Sequence, residues 1–195
     1  MAAEAGVDGV VHVFMDRPHT AEIVDSIAEA GMFVVPCLCL DASMMGITGN
    51  TLADDPRVAR RLDDKWEKTL RSSYNRYPQG RLDDVLETVR ALATAGVDLL
   101  AGTDASMAET FFGGLAHGAS LHHELQYLVQ AGLTPVQALR AATATTARRF
   151  GLGDRGRIAE GLRADLLLVD GDPTTNIGDT LDIRAVWRRG SRLVS

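Results

Sequence analysis

Two cysteines in 195 residues, Cys37 and Cys39, are too few for a disulfide framework, and separated by a single residue they seldom bridge each other. Buried free thiols of a reducing compartment are expected instead; a soft metal site would need further ligands close by, and the neighbouring sequence offers none. No run approaches the ~18 apolar residues of a membrane span, and no basic-then-apolar stretch marks the N-terminus as a secretion signal. Positive charge is scarce as well. Lys plus Arg number 20 against 26 Asp plus Glu, a net charge of −6, which leaves no basic face for nucleic acid. Internal repeats and low-complexity segments are missing too. With 46% apolar residues there is enough material for a packed core in one to two domains, and the cytoplasm is the expected location.

Chemistry is written most plainly at two strand ends. Val97-Asp98-Leu99-Leu100-Ala101-Gly102-Thr103-Asp104-Ala105 is an apolar strand that delivers a carboxylate just after a glycine turn. In a parallel α/β barrel, that end of a strand is where catalytic and metal-binding residues sit. Gly9-Val10-Val11-His12-Val13-Phe14 has the same build with an imidazole in place of the carboxylate. The two lie 92 positions apart (104 minus 12), roughly two strand-helix units with one long loop, so one rim can hold both.

Periodicity supports parallel βα units. Thr20 can cap a helix with Ile23, Val24 and Ile27 on one face, ending near Gly31. The run from Met32 to Cys39 is too continuous for a half-exposed strand and predicts a buried one. Residues 54–81 are charged and contain Trp66, Tyr74 and Tyr77, which suggests one or two helices; with Gly46, Gly49 and Gly80, the segment 41–80 suits a mobile cover over the site. Leu82, Val85, Leu86, Val89, Leu92 and Ala93 follow at helical spacing up to Gly96. A helix beginning near Ser120 places Leu121, Leu125, Leu128 and Val129 inward and His123 and Gln126 outward. Thr134-Pro135-Val136-Gln137 is a capping box with proline at a position that needs no N–H, opening a helix expected to run to about Phe150. Beyond it come short β runs at 164–169 and 183–188, with a turn at Gly190.

Three segments run in order after the Asp104 strand: Gly118-Ala119-Ser120-Leu121-His122-His123-Glu124-Leu125, then Ala131-Gly132-Leu133-Thr134-Pro135-Val136-Gln137-Ala138-Leu139-Arg140-Ala141-Ala142-Thr143, then Gly156-Arg157-Ile158-Ala159-Glu160-Gly161-Leu162-Arg163-Ala164-Asp165-Leu166. Together they resemble the C-terminal part of a metal-dependent amidohydrolase, of the branch that includes imidazolonepropionase-like enzymes and dipeptidases acting before proline. The resemblance implies an α/β fold: a partial (β/α)8 TIM-type barrel, about its last three units, over 1–153, followed by part of a small β-domain over 154–195. Ala2 to Val7 reads as the end of a helix entering the His12 strand, so the chain is expected to be the C-terminal piece of a larger enzyme.

Such enzymes hold one or two divalent ions, zinc foremost, through histidines on the first, fifth and sixth strands, a carboxylated lysine or glutamate on the fourth and aspartate on the eighth. By position His12 matches the sixth-strand histidine and Asp104 the eighth-strand aspartate, which would serve as ligand and general base in turn. Nothing matches the others: there is no His-x-His pair, and the only lysines, Lys65 and Lys68, fall between the seventh and eighth strands. Taken alone, a histidine in an apolar strand is usually a core residue and an aspartate after Gly-Thr a turn residue; the ordered motifs change that balance. His117, on the Gly113-Gly114 loop, is the candidate substrate contact. His122 and His123 lack the His-Glu-x-x-His spacing and read as structural or solvated, Glu124 as a structural partner near the rim, and His19 as surface.

The implied activity is hydrolysis of a C–N bond in an amide, cyclic amide or dipeptide by metal-activated water, on a small-molecule substrate. The alternative is a non-catalytic remnant that folds by association. Three strands cannot close a barrel, so the missing N-terminal part, or another copy in a homo-oligomer, is the expected partner.

Overall fold

The computed structural model describes residues 2–193. Residues 2–6 form a single turn, with the Ala5 and Gly6 amides donating to Ala2 and Ala3, and lead into a parallel sheet. Its strands are β1 (Gly9–Val11), β2 (Phe33–Val35) and β3 (Asp98–Leu99), with β2 in the centre. Gly9 stands opposite Phe33, and Phe33 opposite Asp98. A Cβ on Gly9 would come within 2.6 Å of the Phe33 ring, which lies over the glycine where a side chain would otherwise stand.

Helices cover the sheet for the reason their spacing gives. Thr20 caps α1 (Ala21–Glu29) by accepting from the Ile23 amide at 3.3 Å, and Val24 of that helix is buried. Helix α6 (Leu82–Thr94) buries Val85, Val89 and Leu92, and α7 (Ala119–Gln130) adds Leu125 and Leu128. With Val34 of β2, only 1% exposed, they form one continuous core. Each fully buried aliphatic side chain contributes about 2 kcal/mol by leaving water.

Five expectations need correction. The run from Met32 is not one strand: Pro36 has no N–H for a ladder, Cys37 turns into the left-handed region at φ 59°, and α2 (Leu38–Met44) begins immediately. The helix opened by Thr134 stops early, dividing into α8 (Pro135–Ala141) and α9 (Ala144–Arg149). The Ala141 carbonyl is drawn out of the helical ladder, accepting from the Ala101 amide at 3.1 Å and the Thr146 hydroxyl at 2.5 Å. On α7, Leu121 is 37% exposed while Glu124 is wholly buried, the reverse of the amphipathic expectation. His19 is half-buried, its Nδ1 lying 3.3 Å from the Thr88 hydroxyl, so it is not a surface residue.

The segment 41–80 is also more firmly built than a mobile cover. It contains α3 (Asn50–Ala53), α4 (Pro56–Ala59) and α5 (Asp64–Leu70), whose Leu52, Ala53, Val58 and Leu70 make a second apolar cluster with Ala116 and Leu181. The Gly49 amide donates to the Leu70 carbonyl at 2.8 Å, and the Ser43 hydroxyl donates to Gly113, tying this segment to the loop that follows Asp104.

A separate antiparallel sheet of β4 (Leu166–Val169), β5 (Ile183–Arg188) and β6 (Ser191–Leu193) completes the described chain. Arg189 and Gly190 both have positive φ, 52° and 79°, as a tight two-residue hairpin turn demands. Arg57 of α4 reaches this part through Asp182 at 2.6 Å, and Arg61 donates to the Ile183 carbonyl at 3.1 Å. Leu166, Leu167 and Leu168 are 36%, 50% and 52% exposed, so both faces of β4 stay uncovered.

The capping box at Thr134 is complete: its hydroxyl accepts from the Gln137 amide at 3.2 Å, and the Gln137 side chain accepts from the Thr134 amide at 2.7 Å. Thr134→Ala should cost about 1 kcal/mol, read as a lower urea midpoint with unchanged slope, whereas Thr134→Ser should hold the wild-type midpoint. Equal midpoints for all three proteins would show that packing alone sets this helix start.

Candidate metal and catalytic site at the strand ends

Just beyond the C-terminal end of each parallel strand lies a non-glycine residue with left-handed backbone: His12 at φ 68°, Cys37 at φ 59° and Asp104 at φ 52°. A side-chain-bearing residue there costs on the order of 1–2 kcal/mol, and such residues cluster where function needs them. The surrounding ladder holds the strained turns in place. The His12 amide donates to the Val35 carbonyl at 2.8 Å, and the Leu100 amide to Val34 at 2.9 Å.

The turns bring His12 and Asp104 together. Nε2 of His12 lies 4.0 Å from Oδ2 of Asp104, and the two side chains are 41% and 56% exposed, facing the same opening. Cys37 lies below them and is almost fully buried. Burial first, then the charges of Glu124, Asp104 and Asp41, push its thiol up to about 12, against a smaller opposing effect of the His12 backbone amide. Gly102 leaves room for this arrangement: a Cβ there would run into Val35 and stand 3.7 Å from the Cys37 sulfur.

Beneath the opening sit two carboxyls that no solvent reaches. Glu124 crosses from α7 to the start of α2, where its oxygens accept from the Leu38 and Cys39 amides at 3.0 and 2.9 Å. It thereby supplies the cap that Cys37 cannot provide, since the α2 N-cap makes no side-chain hydrogen bond of its own. Burial nevertheless raises Glu124 to about 7. Asp41, one turn along α2, has no hydrogen-bond partner for either oxygen among the described residues, and burial followed by the charge of Glu124 raises it to about 8.

The remaining histidines divide as follows. Nε2 of His117 lies 3.0 Å from the carbonyl of Ala105, the residue after Asp104, and its ring packs on Trp66 with centroids 4.5 Å apart. Trp66 therefore places the segment 41–80 at the rim of the site. His122 bonds to the Thr180 hydroxyl at 2.9 Å, His123 stacks on Tyr127 at 4.5 Å, and burial lowers the pKa of both, which agrees with structural roles.

An imidazole nitrogen and a carboxylate oxygen at the ends of two strands of one sheet are a donor pair suited to zinc or a similar divalent ion. They fit two positions of such a site. No group of three or more ligating side chains occurs among the described residues.

Sequence reasoning placed His12 and Asp104 at strand ends facing one opening, where the structure also has them, and His117 on the loop after them; it missed Cys37 as a strand-end residue and Trp66 as the ring that packs on His117. Pro36 beside Cys37 was the one signal that the strand ends there.

Comparison with known proteins follows the same lines. The amidohydrolase family model matches residues 1–193. An adenine deaminase of Lysinibacillus sphaericus is 35% identical over 74 residues, 38% of this chain and 12% of that protein. An imidazolonepropionase of Deinococcus deserti is 42% identical over 65 residues, 32% of this chain and 16% of its own length. Among solved structures, a Xaa-Pro dipeptidase with bound methionine in its active site superposes with a TM-score of 0.69 at 23% identity, covering 100% of this chain and 41% of that one. A prolidase complexed with N-methylphosphonate-L-proline gives a TM-score of 0.65 at 25% identity, over 98% of this chain and 41% of its own. The chain thus spans well under half the length of these relatives. No helix among the described residues is long and apolar enough to cross a membrane.

Proposed function

The chain belongs to the amidohydrolase family, and from that premise we propose that it carries the proton-transferring end of a hydrolase that cleaves C–N bonds in small molecules with water. The observation behind this reading is the convergence of His12 and Asp104, 4.0 Å apart, onto one opening from the ends of the two strands that flank β2. Nε2 of His12 and a carboxylate oxygen of Asp104 would hold a divalent ion, zinc in the first instance. When bound, such an ion acidifies a water and polarises the scissile carbon.

Asp104 does the proton work. Its carboxylate accepts the proton that water loses as its oxygen attacks the carbonyl or amidine carbon, and returns it to the nitrogen as the C–N bond breaks. His117, fixed by Ala105 and Trp66, contacts the substrate with the part of its ring left exposed. The parallel sheet we read as a segment of a barrel over 1–153, and the antiparallel sheet as part of a small domain over 154–195. The outer edges of β1 and β3 have no strand beside them among the described residues, so further barrel strands, or a second copy, would complete the site. Two unpaired thiols suit a cytoplasmic enzyme.

The test is zinc content and turnover of the full-length protein with cyclic amides, X-Pro dipeptides and adenine. Stripping the metal with a chelator should abolish turnover, and added zinc should restore it. Full activity after complete metal removal would rule out the reading, and so would failure to retain zinc together with inertness towards the whole panel; the second result would favour a non-catalytic remnant.

A further inference from the structure

The loops that leave β2 and β3 on the side of His12 and Asp104 meet again in a cluster of rings. The Tyr74 amide donates to the Ser43 hydroxyl at 2.8 Å, and that hydroxyl donates to the Gly113 carbonyl, so the residue-74 loop is fastened to the end of the loop that begins at Asp104. The Ser72 hydroxyl lies 3.2 Å from the Thr110 carbonyl and ties them a second time. Tyr74 meets Phe111 at 5.5 Å and Phe112 at 5.7 Å between ring centroids, and the two phenyl rings stand edge to face at 4.9 Å. Phe111 is 55% exposed and Phe112 36%. So much apolar surface in one place, fixed by hydrogen bonds rather than trailing free, is a surface built for contact.

A cation sits on it. The Arg76 guanidinium lies 4.5 Å from the centre of the Phe111 ring and 5.3 Å from that of Tyr74. Among the described residues it has no carboxylate partner, although ten other arginines of the chain do, from Arg17 to Arg184. The two rings hold the guanidinium by cation–π attraction, and a guanidinium with no carboxylate of its own can receive one through two parallel hydrogen bonds. Specificity in barrels is set by loops after the strands, and this cluster is made entirely from two of them.

We propose that Tyr74, Arg76 and Phe111 form a recognition corner for the half of the substrate that does not react, and that this half carries both an apolar or aromatic group and a carboxylate. The proposal rests on the C–N hydrolase reading and narrows it: N-acyl amino acids and dipeptides fit the corner, and uncharged purines do not. Rings take the apolar group, and Arg76 takes the carboxylate.

The experiment measures binding first, so that it does not depend on turnover. With the full-length protein, the probes are 3-phenylpropionate and its uncharged amide, 3-phenylpropionamide. The acid should bind about ten-fold more tightly than the amide, a difference of about 1.4 kcal/mol. Arg76→Met should bring that ratio close to one with the amide unaffected, and Phe111→Ala should weaken both probes several-fold without changing the ratio. An unchanged ratio in Arg76→Met overturns the proposal, as does equal binding of acid and amide in the wild type. A patch covered by a second copy of the chain would show as no binding of either probe and a shift in oligomeric state on Phe111→Ala, which also overturns it. Turnover separates the two readings. If binding behaves as stated but no C–N substrate is cleaved, the hydrolase reading fails and the corner stands; if substrates are cleaved with the same acid preference in Arg76→Met, the corner fails and the hydrolase reading stands.

Discussion

Asp104→Asn should lower kcat of the full-length protein by about a thousand-fold or more, while KM changes by no more than a few-fold. Asparagine has nearly the same shape and is one of the few residues that tolerate the left-handed backbone found at this position, φ 52°, so the turn and the fold should survive. What disappears is the anionic oxygen 4.0 Å from His12 Nε2. A carboxamide can neither take a proton from water nor return one to a leaving nitrogen, and positioned acid–base catalysis is worth about 10²–10⁴-fold. Loss of an anionic ligand adds to this. The measurements are steady-state kcat and KM, zinc content of the dialysed variant, and its circular dichroism melt. A variant with wild-type melting and activity within ten-fold of wild type would remove Asp104 from the chemistry. His12→Asn should act differently, lowering zinc content more than it alters the protonation steps, because the proposed relay runs through Asp104 and leaves the imidazole as a ligand.

Some of the site was legible in the sequence because its signals are local. A strand run, a glycine and then a polar residue at the strand end are contiguous in the chain, and that pattern located His12 and Asp104. Thr134 and Gln137 form a complete capping box across three positions. The spacing of Leu82, Val85, Val89 and Leu92 gave α6 its first residue, and Gly96 lies two residues past its last, Thr94. What stayed hidden depends on partners far along the chain. Nothing near Leu38 announces that its amide is satisfied by Glu124, 86 positions away, so the amphipathic pattern put Leu121 inward and gave no reason to bury the glutamate. Nothing in Ala141 announces that its carbonyl is claimed by Ala101. The apolar run around Cys37 is equally compatible with a buried strand and a buried helix turn, and periodicity alone does not separate them.

Asp41→Asn should flatten the pH dependence of stability and make the protein more stable in alkaline solution. Both oxygens of Asp41 are buried without a hydrogen-bond partner among the described residues, and burial first, then the charge of Glu124, raises its pKa. A carboxyl raised from 3.8 to about 8 on folding keeps its proton in the native chain while the unfolded chain has lost it. The native state then binds more protons, and stability falls as pH rises. Its contribution is fully present below about pH 4, declines through the window between the two values and is gone above about pH 8. Glu124, raised to about 7, adds to the decline in the lower part of that window, and the two carboxyls titrate as a pair. Asparagine replaces the neutral form of Asp41 almost isosterically. Unfolding free energies of the variant and the wild type should therefore agree near pH 4.5 and diverge by on the order of 2–5 kcal/mol at pH 8.5, the variant being the more stable. Residual pH dependence in the variant would belong to Glu124. Urea unfolding at half-unit pH steps measures both curves, and parallel curves from pH 4.5 to 8.5 would mean that Asp41 is ionised in the native protein and holds a partner. The carboxylate of Glu124 is the part that cannot be dispensed with: Glu124→Ala leaves the Leu38 and Cys39 amides buried and unpaired at the start of α2, at a cost of about 1–3 kcal/mol for each. Because Cys37, the N-cap of α2, is the strand-end residue beside His12 and Asp104, that loss should reach the site as well as the melting temperature.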